Sequence, residues 1–356
     1  MCDACEHDEE KAKRVVGLNP YGANKPSPLR RPTGTGTRHP KPKLPEGFPR
    51  YLKPIPVNTR NIERLLQAQI ASSRNGLQRW LYSTWTAQAE ALKYQEIRNA
   101  IREGDISQAV LRRWHQDYAA FIEDKLKPQW VAAMSKAGNA MSAAAKRSLG
   151  LYIQFNEGAE RLRRWTEFRS TELAVNLTKL QHDAMRSVIT ELGVQQGMGP
   201  EALARYIRPL VGLTPQQTAA VAAKRAALIA EKTPPAKVVN LTENYAAFLH
   251  RQRASNIART ELSFAFNQGA LEQMRQINDS GKLGDPIVKT WLAAETENTC
   301  EFCIELNGQS VALEDTFPGA SAGLPNVYTP PAHTSCICTL IYQVASATGK
   351  PLLRAA

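Results

Sequence analysis

Four of the six cysteines in this 356-residue chain fall within one short C-terminal segment, Cys300-Glu301-Phe302-Cys303 followed by His333-Thr334-Ser335-Cys336-Ile337-Cys338. The two-residue gap between Cys300 and Cys303 lets one tight turn present both thiolates to a single ion, and His333 with Cys336 repeats that reach from the other side. Five donors therefore compete for the four positions of a tetrahedral zinc. Cys336 and Cys338 are one residue apart and would share a face in an extended strand, so one of them is a candidate spare. Two disulfides or unpartnered thiols are the alternative. The start of the chain has no signal-peptide pattern, and a cytosolic start that keeps thiols reduced favours the metal. Cys2, Cys5 and His7 make a second, weaker grouping at the N-terminus.

The surroundings of the cluster are more specific than the cluster. In order they read Ala258-Arg259-Thr260-Glu261, Asn267-Gln268-Gly269-Ala270, Lys289-Thr290-Trp291-Leu292-Ala293, Cys300-x-x-Cys303, Leu306-Asn307-Gly308, Phe317-Pro318 and Pro330-Pro331-Ala332-His333 through Cys338. This series resembles the C-terminal domain of the phage head morphogenesis family, the Mu protein F-like minor head proteins of tailed bacteriophages. The resemblance runs from about Phe155 to Tyr342 and is sharp from Ala258 onward. Many relatives with this pattern carry an arginine between the last two cysteines, where this chain has Ile337. That departure leaves the zinc reading intact and weakens the case for a phosphate or carboxylate grip at the turn.

The resemblance implies a structural role: a minor capsid protein acting at the portal vertex or inner head, assembled in the host cytoplasm and carried in the virion. Its implied partners are the portal, the major capsid protein and a scaffold protein.

Charge is unevenly placed. The net charge is +12, and residues 11 to 60 hold 12 basic residues against one acidic, with 10 of the 22 prolines. Such a composition buries too little apolar surface to offset chain entropy, so an extended, polyproline-like arm is expected. A solvated tail, an adhesive strand on an acidic portal or capsid wall, and a contact to packaged DNA all suit it. No apolar run approaches the ~18 residues of a membrane span.

Beyond the arm the pattern is helical. Ile62, Leu65, Leu66 and Ile70 recur at helical spacing, and the stripe continues through Leu77, Trp85 and Leu92 toward Ile101, with Gly104 as its stop. Asp105 or Ser107 caps the next helix, and Pro128 suits the first turn of another. Thr171 to Leu192 reads as one helix ending near Gly193, Gly199-Pro200 opens a short one, and Thr214-Pro215 caps an alanine-rich one broken at Lys232-Thr233-Pro234-Pro235. A last helix is expected from about Thr242 to Ile277, carrying Arg251, Arg253, Arg259 and Glu261. Strands are expected at 288–292, 310–313 and 336–344.

The fold expected is mainly α-helical with a small C-terminal α/β zinc-bearing lobe and an extended N-terminal arm. Its divisions are an arm over 1–58, a helical domain over 59–150, the helical part of the head-morphogenesis domain over 151–284, the zinc-bearing lobe over 285–343 and a tail over 344–356. In so small a lobe the zinc would stand in for a core. No Walker loop, nucleophile elbow or His-Glu-x-x-His is present. A zinc-stabilised nucleic-acid-binding module remains the alternative, and a zinc hydrolase or nuclease using Glu301 or Glu305 is a lesser one. The Arg259-Thr260-Glu261 triplet is read as an ion pair or a bridge from helix to lobe.

Overall fold

In the computed structural model, the described residues are 51–54, 59–294, 299–318 and 327–346. Cys2, Cys5, His7, the arm as far as residue 50 and most of the tail lie outside them. The chain is mostly helical and ends in a small sheet with one short helix, and eight long or medium helices precede it among the described residues.

The helices are α1 (Thr59–Glu90), α2 (Tyr94–Glu103), α3 (Gln108–Phe121), α4 (Lys127–Leu149), α5 (Glu160–Val188), α6 (Pro200–Ile207), α7 (Pro215–Ala230) and α8 (Pro235–Asp279). Local chemistry sets their ends. The Ser107 hydroxyl accepts from the Val110 amide, Thr214 and Gln217 form a reciprocal capping box, and Gly104 and Gly150 take left-handed conformations that stop α2 and α4. Two π-helical turns, Ile122–Leu126 and Ile189–Gln195, join α3 to α4 and extend α5. The stripe expected to run unbroken from Arg60 to Ile101 is instead interrupted at residues 91–93. There the Glu96 carboxylate accepts from the Lys93 amide and also pairs with Arg113.

Helix α8, 45 residues long, is the axis of the molecule, and it starts at Pro235 rather than near Thr242 because proline is tolerated in a first turn. From Ala258 to Met274 nearly every side chain is buried, since α1, α4 and the sheet surround it. Gly269 allows the closest approach: a Cβ there would lie 2.3 Å from the Met134 carbonyl oxygen of α4. A first hydrophobic cluster joins α1, α4, the second half of α8 and the C-terminal lobe. A second joins α2, the end of α5, α6, α7 and the first half of α8.

The lobe contains β2 (Ile287–Leu292), the short helix α9 (Glu301–Leu306), β3 (Ser310–Ala312) and β4 (Thr339–Ser346). A fourth strand, β1 (Tyr51–Pro54), comes from the far end of the predicted arm and pairs antiparallel with β4, giving the order β1-β4-β2-β3. Composition hid this strand, although Pro54 suits an edge position. All six residues of β2 are buried. The lobe is therefore not coreless as expected: Trp291, Phe317, Leu340 and Tyr342 pack into the first cluster.

Candidate metal centre

The five donors converge. Cys300 caps the N-terminus of α9, where its Sγ accepts from the Cys303 amide at 3.5 Å, and Cys303 sits buried one turn later. The expected tight turn is thus the first turn of a helix. From the other side, the residues before β4 bring His333 Nε2 to 2.9 Å from Cys300 Sγ and 3.3 Å from Cys303 Sγ, and place Cys336 Sγ 3.6 Å from Cys303 Sγ. Two groups have donor atoms within 4.8 Å of one another: Cys300 with Cys303 and His333, and Cys303 with Cys336 and Cys338. Cys303 belongs to both.

The chemistry of this set fits a tetrahedral dication. The 3.6 Å sulfur separation approaches the ~3.8 Å edge of a tetrahedron with Zn–S bonds of ~2.3 Å. His333 Nδ1 lies 2.9 Å from the Thr334 carbonyl, so a proton on Nδ1 is held there and, once the ring is neutral as a metal ligand requires, Nε2 turns a lone pair toward the sulfurs. The cysteines are free thiols rather than disulfides. Crowded thiols cannot all ionise without a cation, and their acidities alternate accordingly. Cys300 is pulled down to about 4 by its hydrogen bond with Cys303, with His333 adding to the effect. Bonding to Cys300 first, then to Cys336, pushes Cys303 far up, and Cys336 is pulled down chiefly by Cys303. For Cys338 the bond with Cys303 lowers the pKa, but Cys336 and burial outweigh it, giving about 12. His333 rises to about 10 through Cys300 and then Cys336.

A polar shell from α8 fixes the turn that carries these donors. The Ser335 amide donates to Thr260 Oγ1 at 2.7 Å, in a residue with φ of 65°, and Asn267 Nδ2 donates to the Cys338 carbonyl at 3.1 Å. Glu261, beside Thr260, is buried against Arg169 with a 3.0 Å contact from Nε, and burial pushes its carboxyl up. Both the ion pair and the helix-to-lobe bridge expected of the Arg259-Thr260-Glu261 triplet are present. Lys289 of β2, fully buried, donates to the Tyr328 carbonyl at 2.9 Å and lies 3.5 Å from the Tyr328 ring centroid, anchoring the segment that leads to His333. Burial lowers its pKa to about 7. Sequence reading anticipated the bridge made at Thr260 but singled out the segments holding Asn267 and Lys289 without finding their tasks. Ile337, in place of arginine, packs against the first hydrophobic cluster, and Glu301 and Glu305 are exposed on α9.

Helix axis, buried sheet and five-donor knuckle together define a helical protein with a Cys/His-rich mixed lobe. Residues 183–341, in the C-terminal part of the chain, match the family described as Phage Mu protein F like protein. The match begins at Asp183 rather than near Phe155 and ends one residue before Tyr342. The family implies a phage head morphogenesis or capsid-related protein, a structural class. Among curated proteins and solved structures none matches. No helix among the described residues is long and apolar enough to cross a membrane.

Proposed function

We propose that this chain is a minor capsid protein acting at the portal vertex or inner face of a tailed-phage head, its C-terminal lobe held in shape by one structural zinc. The observation that carries this reading is one of coincidence. The family match over 183–341 spans both the five donors and the α8 residues that position them. Cys300, Cys303, His333, Cys336 and Cys338 supply the ligands, and Cys303 is common to both donor groups. The zinc supplies charge neutralisation and rigid coordination, without an assigned catalytic step. Portal, major capsid and scaffold proteins are the partners this role implies, and the basic arm suits packaged DNA or an acidic capsid wall.

The test has two readouts. Elemental analysis of reduced, freshly purified protein should give about one zinc per chain, as a single tetrahedral site requires. The chain should also sediment with heads from infected cells, and heads formed without it should be fewer or empty. Protein without zinc would end the metal reading; a chain that never travels with heads would end the capsid reading.

A further inference from the structure

At the end of α8 away from the cysteines, one face of the helix lines a groove in which Thr242, Ala246 and His250 are buried by their neighbours while Val239, Glu243 and Ala247 keep exposure. Val239, Thr242, Glu243, Ala246, Ala247 and His250 follow one another at spacings of three and one, the pattern of a single helical stripe, and all six line a groove. One section, of about 670 Å³, is walled by α6, α7 and the turn between them, including Tyr206, Pro209 and Val221. The adjoining section, of about 430 Å³, is walled by α1 through Tyr82, Trp85 and Ala89. The two share Arg208, Pro209 and Glu243, so they form one continuous trough. At 1.5 Å per residue the stripe is about 16 Å long, three turns of a docked helix.

The charges along the trough differ from end to end, with Arg208 and Glu243 together where the two sections meet. Arg205 and Arg225 stand at the wider end; Arg225 stacks on the Tyr206 ring at 5.3 Å, and neither has a carboxylate partner among the described residues. Glu243 marks the middle and Glu90 the narrower end, again without cationic partners among the described residues. A floor carrying Val239, Ala246 and Ala247, with Arg205 and Arg225 at one end and Glu90 at the other, suits a helix with an apolar face and acidic residues toward one end. A nucleic acid suits it poorly, because phosphates would meet an apolar floor and the carboxylates of Glu243 and Glu90.

We propose that this trough is a docking site for an amphipathic helix of another protein, seated along the α8 stripe with its acidic end against Arg205 and Arg225. The site is separate from the Cys/His centre and does not depend on it.

Two fluorescein-labelled model helices test this, identical in a leucine face but carrying glutamates or lysines in one terminal half, with duplex DNA as a third probe. In anisotropy titrations of the full chain, the glutamate helix should bind at least about tenfold more tightly than the lysine helix. The double variant Arg205→Glu with Arg225→Glu should reverse that preference. Val239→Asp should weaken the glutamate helix about tenfold, with circular dichroism and metal content unchanged. Equal affinity for both helices, no binding of the glutamate helix at about 1 mM, or a double variant that loses DNA binding while holding the glutamate helix as before would overturn the proposal.

Discussion

The two ends of α8 are stabilised by different physics. Around Ala246 and Leu249 the helix lies in a cluster of apolar side chains, where the polar contacts are few: His250 meets the Val211 carbonyl at 2.8 Å and Arg253 donates to the Gly212 carbonyl. From Thr260 to Arg275 the helix also packs in an apolar cluster, but there directional bonds are added to the packing. Arg169 holds Glu261, Arg161 meets Glu272 at 2.8 Å, Asn267 holds the Cys338 carbonyl, and Arg275 reaches Glu314 at 2.7 Å. Apolar contact tolerates a degree of rotation; a donor atom aimed at one point does not. The difference teaches that the fold places its angular constraints where five side chains must converge and leaves the other end to non-directional packing.

The largest expected effect breaks the angular end alone. Cys303→Ser removes the thiol common to both donor groups, so zinc content should fall to near zero and the lobe should lose its near-ultraviolet dichroism while most helical signal remains. Coordination contributes on the order of 10 kcal/mol in small zinc sites. If Cys303→Ser keeps full zinc, the convergence described above is not what binds it.

Trp114→Ala should do the converse. Trp114 is fully buried in the second cluster, and emptying its site should cost about 3–5 kcal/mol in a denaturant titration while zinc content stays at its normal value. Coupled loss of metal would show that the two ends are one cooperative unit.

Gly269→Ala tests the middle, where the two regimes meet. A methyl group directed at the Met134 backbone must push α8 from α4, at about 1–3 kcal/mol, and the second cluster should be spared. Hydrogen exchange should therefore quicken in α4 and not in α6 or α7.

The smallest effect concerns Lys289, whose pKa is about 7 when folded against an ordinary 10.5. Because the unfolded chain binds the proton more tightly, stability gained from this group should rise with pH between about 7 and 10.5. Below that window burial of the charged amine opposes folding. Lys289→Met should abolish the rise, so the melting-temperature difference between wild type and variant should change steadily across the window. A difference that stays flat would contradict the shift.

How much of this was legible in the sequence depends on how local each signal is. Helix starts at Ser107, Pro200 and Pro215 were readable because a cap needs only its own few residues. The interruption after Glu90 was not, since Trp85 and Leu92 continue one apolar stripe yet belong to different clusters. The π turns escaped for a related reason: one extra residue per turn leaves no mark in composition. β1 was masked by the prolines and charges around it. The donors at Cys300, Cys303, His333, Cys336 and Cys338 were visible through their spacing. The work of Asn267 was not, because it exists only once α8 lies against the turn.

The length of α8 has a further meaning. Each residue advances it by about 1.5 Å and turns it by about 100°, and no proline follows Pro235 at its first position. The trough stripe ends at His250 and the first bond to the knuckle is made at Thr260, so the intervening segment acts as a phase-locked ruler. One residue removed there would swing Thr260, Glu261 and Asn267 about a quarter-turn away from Ser335, Arg169 and Cys338. Eleven residues added, about three full turns, would return them to the same bearing at a new distance. Drift in this stretch is therefore quantised: chains of this design can change the span between their two faces only in steps that close on whole turns.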